Sequence, residues 1–204
     1  MQDPQQTDST TEFHCVHFFE PSQFPTAPIA DFLEQGLSQG EAALLLSSLD
    51  HASRLGAKVE EAGWNVLDLR EAGLWDVTDV DEMLRAFQAG TSITAIVEEY
   101  IDATLRPAQQ RSPSKRIRIY GELEDALLSR LGNAEAALTV ERYGNRLASE
   151  GTAKIYCGYS TNSFPDASFA RPFIKLCHLH DRVHNGLTDR EDWRFQMAEK
   201  MSSL

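Results

Sequence analysis

The chain of 204 residues has few basic side chains and no long basic run. It carries 19 Lys and Arg against 31 Asp and Glu, for a formal net charge of −12, and its longest basic run is Lys115-Arg116. Because DNA and anionic lipids attract clusters of Lys and Arg, this charge argues against direct binding to nucleic acid or to a membrane surface. We therefore expect a protein or a small molecule as the partner.

Long apolar runs and cysteine pairs are also missing. The longest apolar runs, residues 42–46 and 93–97, fall far short of the roughly 20 residues that a transmembrane helix needs. Residues 1–11 are rich in Gln, Asp and Thr, which is unlike a signal peptide and predicts a disordered leader. Three cysteines without a Cys-x-x-Cys pair predict reduced, buried thiols. Together these features predict a cytoplasmic protein.

The glycine-rich motifs of common catalysts are absent as well. A phosphate-binding loop needs glycines followed by Lys and Ser or Thr, at the turn from the first strand to the first helix. That turn, residues 20–26, reads Glu-Pro-Ser-Gln-Phe-Pro-Thr. The motifs Gly-x-Gly-x-x-Gly, Gly-x-Ser-x-Gly and His-Glu-x-x-His do not occur. We therefore expect neither ATP hydrolysis by a P-loop nor any other enzyme activity, and no motif names a cofactor.

What is present is an alternation of apolar strands with amphipathic helices. Strands are predicted at residues 13–19, 42–48, 64–69, 115–120 and 153–159, and the last helix of the domain at about 171–184. Strands that are apolar throughout predict a three-layer α/β fold, in which a mainly parallel sheet carries helices on both faces. The domain is expected to span residues 12–187. In residues 188–204, Trp193, Met197 and Met201 recur at a spacing of four, which predicts a C-terminal amphipathic helix.

Polar side chains collect at the predicted carboxyl ends of the strands, where open parallel sheets bind ligands. Glu122 follows a strand directly and opens a helix, so its carboxylate could either face a ligand or cap the helix. Arg118 is within reach of Glu122 or Glu141 if the following helices fold back, either as a structural ion pair or as an anion receptor. The candidate ligand-binding residues are His17, Glu20, Arg118, Tyr120, Glu122, Cys157 and Tyr159. For Cys157 and Tyr159, which share a strand face, core packing is the alternative.

Histidines and cysteines near both ends of the chain suggest a metal site. Side chains alternate along a strand, so His14 and His17 point to opposite faces and cannot easily share an ion. The last predicted helix presents three candidate ligands on one face: Cys177, His180 and His184. That face also carries Phe173, which equally predicts a helix packed on the sheet with a hydrogen-bonded histidine.

Six motifs occur in a fixed order along the chain: His14-x-x-His17-Phe-Phe-Glu, Phe32-Leu-Glu-Gln-Gly-Leu-x-x-Gly40-Glu41, Arg118-x-Tyr-Gly121-Glu122, Glu141-x-x-x-Asn145-x-Leu, Cys157-Gly-Tyr159 and His180. In order and spacing they resemble the MEDS family, a methanogen/methylotroph sensory domain found in the repressor of dichloromethane dehalogenase and fused to histidine kinases. The resemblance spans about residues 14–184. It implies a RecA/KaiC-like core in which the Pro-rich turn replaces the phosphate loop.

The resemblance also implies a sensory role. The chain would be a stand-alone module that binds a small organic ligand at the strand ends. Glu141, Asn145 and His180 would contact the ligand-binding side chains and not the ligand itself. Because no DNA-binding or kinase segment accompanies the domain, we expect the signal to pass to a partner such as a histidine kinase or a transcription regulator, or through a homodimer. The alternatives are a non-catalytic docking protein derived from an ATPase fold and a metal-binding protein.

Overall fold

A computed structural model describes residues 13–164 and 167–185. The strands in this part of the chain form one parallel sheet in the order β3-β2-β4-β5-β1-β6. They are β1 His14–Phe19, β2 Ala42–Ser47, β3 Trp75–Asp79, β4 Ile117–Gly121, β5 Ala153–Ser160 and β6 Arg182–Asn185. Since helices cover both faces, the predicted three-layer α/β architecture is confirmed.

The helices of the same part of the chain lie between these strands. They are α1 Thr26–Ser38, α2 Leu49–Glu61, α3 Val66–Glu71, α4 Val80–Gln88, α5 Ile93–Ile96, α6 Ala103–Arg111, α7 Leu123–Leu131, α8 Ala134–Ser149 and α9 Ala170–Leu179. A π-helical turn, Val97–Asp102, joins α5 to α6. None of the helices in the described ranges has the length and apolar content that crossing a membrane requires.

The direction of each connection along the sheet decides the face on which its helices lie. The connections from β1 to β2 and on to β3 run toward the β3 edge, whereas those from β3 through β4 and β5 to β6 run toward the β6 edge. Because such crossovers are almost always right-handed, opposite directions place helices on opposite faces. Accordingly α1 to α3 bury Leu45 and Tyr120, on what we call the α1 face. Helices α4 to α9 bury Leu44 and Ile119, on the α8 face.

Strands with diverging connections lie side by side at two places, β2 with β4 and β5 with β1. At such points the helices leave the carboxyl ends of neighbouring strands toward opposite faces, and a crevice opens between them. The topology therefore positions a ligand site at the end of the sheet where β1, β2, β4 and β5 terminate.

The strand predicted at residues 64–69 is wrong, because this segment contains the start of helix α3. The side chain of Asn65 accepts hydrogen bonds from the backbone N–H groups of Leu67 and Asp68 and so caps the helix. Val66 and Leu69, three residues apart, are its buried residues. The third strand follows at β3, an edge strand whose residues are mostly half-buried or exposed.

The helix predicted to run to His184 is too long. Helix α9 ends at Leu179, His180 has an extended backbone, and the chain continues as β6, which pairs with β1 through Val16 and Val183. The leader expected at residues 1–11, the ends of the expected domain at 12 and 186–187, and the helix expected at 188–204 lie outside the described residues.

Candidate functional site

A crevice of about 150 Å³ opens at the carboxyl ends of β1, β2, β4 and β5. Its polar lining comes from α2, α7 and the residues that follow the strands: Ser48, His51, Glu122, Asp125, Arg130 and Ser160. The apolar part of its lining is supplied by Phe19, Pro21, Val80 and Ala126. Pockets for drug-sized ligands measure roughly 300–1,000 Å³, so this crevice suits a molecule of few non-hydrogen atoms.

Glu122 joins the ends of β2 and β4 in this crevice. Its Oε1 accepts hydrogen bonds from the hydroxyl of Tyr120 at 2.7 Å and from Nδ1 of His51 at 2.6 Å. Its Oε2 accepts from the backbone N–H of Ser48 at 3.2 Å. Although Glu122 directly precedes α7, its side chain makes no capping hydrogen bond there. The carboxylate therefore bridges the ends of β2 and β4, and two of the predicted ligand-binding residues, Tyr120 and Glu122, are in contact.

His51 completes this group, and the sequence analysis missed it. It lies in the first turn of α2, where its backbone N–H donates to Oγ of Ser48, the residue that caps the helix. Its ring stacks on Phe24 with centroids 3.7 Å apart. Because a carboxylate oxygen only accepts, the contact with Glu122 places a proton on Nδ1 of His51. The available signal was its position, four residues beyond the end of an apolar strand.

Asp125, in the first turn of α7, faces the end of β5. Its Oδ1 accepts hydrogen bonds from the backbone N–H of Ser160 at 2.9 Å and from the hydroxyl of Ser163. Burial, and to a smaller extent the charge of Glu122, raise the pKa of Asp125 to about 7, against the opposing effect of these donors. Asp125 can therefore exchange a proton with a bound molecule near neutral pH.

A second, larger cleft of about 520 Å³ lies beside the edge strand β3. Arg70, Trp75 and Arg111 are among the residues that line it. None of its lining residues belongs to the predicted set, and it is not placed at a point where connections diverge. We therefore place the candidate site in the smaller crevice, where the hydrogen-bonded polar groups converge.

Arg118 lies away from the crevice, at the opposite end of β4 from Glu122. Its Nε donates to Oε2 of Glu41 at 2.5 Å, and its Nη1 donates to the backbone carbonyl of Phe32 at 3.1 Å. The expectation that Arg118 reaches Glu122 or Glu141 is wrong, because its side chain turns toward α1 and the start of β2.

This ion pair explains the Gly-Leu-x-x-Gly-Glu motif at residues 36–41. A Cβ at Gly36 would overlap the side chain of Arg118, so glycine allows the arginine to pass across α1 and reach Glu41. Arg116 and Lys154 lie 3.5 and 3.8 Å from the same carboxylate. The motif therefore has a structural role in joining α1 to the sheet.

His17 and Glu20 also lie outside the crevice lining. Burial lowers the pKa of His17 to about 4, so the ring is neutral, and its Nδ1 shares a hydrogen bond of 2.7 Å with the hydroxyl of Tyr156. This pair is on the α1 face, and the ring of His184 lies 6.0 Å from that of His17. Glu20 is half-buried just beyond the end of β1.

The remaining predicted residues form a second group between α8 and the sheet, in which all but the half-buried Asn145 are buried: Glu141, Asn145, Cys157, Tyr159 and His180. The hydroxyl of Tyr159 donates to Oε1 of Glu141 at 2.6 Å, and Sγ of Cys157 lies 3.8 Å from Oε2 of Glu141. Cys157 and Tyr159 share a strand face as predicted, but that face does not open on the crevice.

His14 joins this group, opposite to His17 as strand alternation predicts. Its Nδ1 donates to Oδ1 of Asn145 at 2.8 Å, and its Nε2 lies 3.2 Å from Oε2 of Glu141 and 3.3 Å from Sγ of Cys157. A Cβ at Gly144 would come within 3.3 Å of the His14 ring, so glycine allows α8 this close approach. Strand alternation relates His14 only to His17, and gives no sign of the contacts with Asn145, 131 residues away, and Cys157, 143 residues away.

In the second group, burial shifts the pKa values of the ionisable side chains, and contacts within the group oppose some of these shifts. Burial alone would raise the pKa of Glu141, but His180 and His14 hold it below its usual range. The pKa of His14 is raised, because the contacts with Glu141 and Asn145 outweigh the effect of burial. Nearby Glu124 is buried beside the charge of Glu141, and its pKa rises to about 8.

The predicted metal-ligand set of Cys177, His180 and His184 is wrong as a group, because α9 ends before His180. His184 lies on β6, with its ring 6.2 Å from that of Tyr156 on the α1 face. His180 instead lies on the α8 face, where its ring is 4.1 Å from that of His14. The donor atoms that do come together, within 4.8 Å of one another, belong to His14, Glu141, Cys157 and His180.

Comparison with known proteins finds one family whose model matches most of the chain. The family is described as MEDS, the methanogen/methylotroph, DcmR sensory domain, and the match covers residues 13–180. The matched range includes β1 to α9, and with them both the crevice and the buried group. No curated protein matches the chain.

Proposed function

Because the chain belongs to the MEDS family of sensory domains, we propose that it senses a small organic ligand that binds in the crevice at the strand ends. The sensory role follows from the family. The crevice as its binding site is supported by one observation above all: Glu122, His51 and Asp125 converge where the connections from β2 and β4 diverge.

The lining of the crevice favours a compact ligand with both apolar and hydrogen-bonding parts. Glu122 and Asp125 supply acceptors, and the raised pKa of Asp125 also allows its carboxyl to donate. The volume of about 150 Å³ limits the ligand to a few non-hydrogen atoms. Short amines, alcohols and carboxylic acids fit this description.

Arg130 connects the crevice to the surface of the protein. It lines the crevice and pairs with Asp81 of α4, and both side chains are about half exposed. Exposed ion pairs contribute only about 0–1 kcal/mol, so a ligand that engages Arg130 can displace it at little cost. The ligand would then favour one arrangement of the α4–α7 surface over another. We propose that a partner protein, such as a histidine kinase or a transcription regulator, or a second copy of the chain reads this surface.

As part of the same proposal, the domain is non-catalytic and cytoplasmic, and its core is RecA/KaiC-like but does not bind nucleotides. The lack of nucleotide binding is supported by the turn after β1, in which Pro21 and Pro25 stand where a phosphate loop would need glycine N–H donors. ATP with Mg²⁺ should therefore neither raise the melting temperature nor be hydrolysed.

Thermal unfolding of the purified chain tests ligand binding. We expect at least one compound from a panel containing methylamine, methanol, formate and dichloromethane to raise the melting temperature in a concentration-dependent way. Asp125→Asn and Arg130→Ala should weaken its binding at least tenfold. Arg142→Ala, an exposed position on α8 away from the crevice, is the matched control and should bind normally.

Two results would count against this function. If the panel, and then a broad library of small metabolites, left the melting temperature unchanged at millimolar concentration, the crevice would not be a ligand site, and the docking-protein alternative would gain. If a ligand bound the crevice variants and the control alike, sensing would take place elsewhere in the chain.

A further inference from the structure

The buried group beneath α8 has dimensions close to those of a tetrahedral metal site, with its four donor atoms within 4.8 Å of one another. The distances from Oε2 of Glu141 are 3.2 Å to Nε2 of His14, 3.1 Å to Nε2 of His180 and 3.8 Å to Sγ of Cys157. Nε2 of His14 is 3.3 Å from Sγ of Cys157. Around a zinc ion with ordinary bond lengths, neighbouring N, O and S ligands are about 3.3–3.6 Å apart.

Three of the four ligands are held in orientation by a second contact on the side away from the centre of the group. Nδ1 of His14 donates to the side-chain oxygen of Asn145, and Nδ1 of His180 donates to the carbonyl of Leu176 at 2.6 Å. Both histidines therefore present Nε2 to the centre of the group. The hydroxyl of Tyr159 holds Oε1 of Glu141, which leaves Oε2 facing the same centre. Contacts of this kind fix the tautomer and orientation of metal ligands.

Nε2 of His180 supplies an independent observation. It is buried and has no hydrogen-bond partner in the described ranges, although it lies 3.1 Å from Oε2 of Glu141. The approach is thus close enough for a hydrogen bond but has the wrong direction for one. A buried nitrogen that lies this close to a carboxylate without a hydrogen bond suits a shared cation.

Charge and burial favour a divalent cation. The four side chains are between 0 and 7% exposed, so an unbalanced charge among them would be costly. A carboxylate and a thiolate carry two negative charges, and two neutral imidazoles carry none. A divalent cation therefore makes the site neutral, and the combination of one sulfur, two imidazole nitrogens and one oxygen is typical of zinc.

We propose that His14, Glu141, Cys157 and His180 bind one divalent transition-metal ion, zinc above all, in a closed tetrahedral site. Four protein ligands leave no open position, which is the arrangement of a structural site. The metal would join β1, β5, α8 and the segment after α9, and so hold the first and last described strands against α8. Binding displaces the Cys157 thiol proton, so it weakens as the pH falls. The site lies beneath α8 among the strands, whereas the crevice lies at their carboxyl ends, and metal binding does not depend on ligand sensing.

Metal analysis and cobalt substitution test the proposal. Protein purified under reducing conditions without chelator, or stripped and reloaded with Zn²⁺, should contain one metal ion per chain and melt at a higher temperature than the stripped form. With Co²⁺ it should show thiolate-to-cobalt charge transfer and the intense visible bands of four-coordinate cobalt. Cys157→Ala and His180→Gln should lose stoichiometric metal. Cys177→Ser, a half-buried cysteine on neighbouring α9, is the matched control and should keep it.

Three outcomes would overturn the site. The first is substoichiometric metal in the unmodified protein both before and after reloading, which would leave a hydrogen-bonded ion cluster. The second is a cobalt spectrum without thiolate charge transfer. The third is full metal content and an unchanged cobalt spectrum in folded Cys157→Ala. If the substituted proteins do not fold by circular dichroism, the stoichiometry and cobalt spectrum of the unmodified chain still decide the question.

Discussion

The molecule contains two similar groups, in each of which a tyrosine hydroxyl and one or two histidines contact the same glutamate. At the crevice, Tyr120 and His51 donate to Glu122. Beneath α8, Tyr159 donates to Glu141, and His14 and His180 lie at its other oxygen. The crevice group opens on solvent, with the His51 side chain 25% exposed, whereas the His14 side chain is 1% exposed.

The difference shows that access, and not residue type, decides what such a group can do. Glu122 is 9% exposed at its side chain and lines the crevice, so a small molecule in the crevice can reach its neighbours. Glu141 is fully buried, so every donor and acceptor around it must be satisfied by the protein or by an ion. The first arrangement suits reversible binding, and the second suits a permanent structural link.

The same substitution at the two glutamates should therefore have unequal effects, and Glu141→Gln should have the largest. Removing one partner of a buried charged group costs about 3–5 kcal/mol, because the remaining charge is left without compensation. We expect the free energy of unfolding of chelator-treated protein, measured in urea, to fall by about this amount. A loss below about 1 kcal/mol would mean that the buried group is not under electrostatic constraint.

Asp125 should produce the next largest effect, as a dependence on pH. Its pKa is raised to about 7 in the folded chain, against about 3.9 when unfolded, so the folded state binds the proton more tightly. The resulting stability is fully present below about pH 4 and is lost as the pH rises toward 7, by about 2–4 kcal/mol.

Asp125→Asn keeps an acceptor for Ser160 but cannot ionise. Urea unfolding of both proteins between pH 4 and 7.5 isolates the contribution of Asp125 as the difference between the two curves. Parallel curves would show that Asp125 is solvated and ionised at neutral pH, which would make the crevice wetter than its geometry indicates.

Glu122→Gln should have the smallest effect, a loss of about 1–2 kcal/mol in the same urea experiment. The amide oxygen can still accept from both Tyr120 and His51, but the amide nitrogen cannot accept from the backbone N–H of Ser48. The remaining hydrogen bonds also lose their charge assistance, and charge-assisted hydrogen bonds contribute about 1.5–3 kcal/mol each. If this loss equalled that of Glu141→Gln, the contrast between an open and a closed group would not hold.

The central strands could be predicted from the sequence, and the edge strands could not. β2 and β4 are buried along their whole length; a continuous apolar run predicts β2, and Ile117, Ile119 and Tyr120 around a single Arg118 predict β4. β3 and β6 lie at the edges of the sheet, where one side has no neighbour and polar side chains are tolerated, so their pattern is weak. Because the sequence pattern does not reveal β6, the predicted last helix runs beyond the end of α9, and this error leads to the wrong set of metal ligands.

The candidate site could be predicted only where its residues share one strand. Cys157 and Tyr159 are two residues apart on β5, so strand alternation predicts that they share one face of the sheet. Which face they occupy depends on the direction of the connections, which no local pattern contains. His51 reaches Glu122 across 71 residues of chain, and only the pairing of β2 with β4 brings them together.

The position of β1 between β5 and β6 has a consequence for how the chain is made. β1 hydrogen-bonds to β5, whose residues are synthesised about 140 positions later. At a synthesis rate of 5–20 residues per second, roughly 7–28 s pass after β1 is made before either of its neighbouring strands exists. During that time Val16, Phe18 and Phe19 have no sheet to enter, so nascent chains should be aggregation-prone and bound by chaperones until β5 emerges.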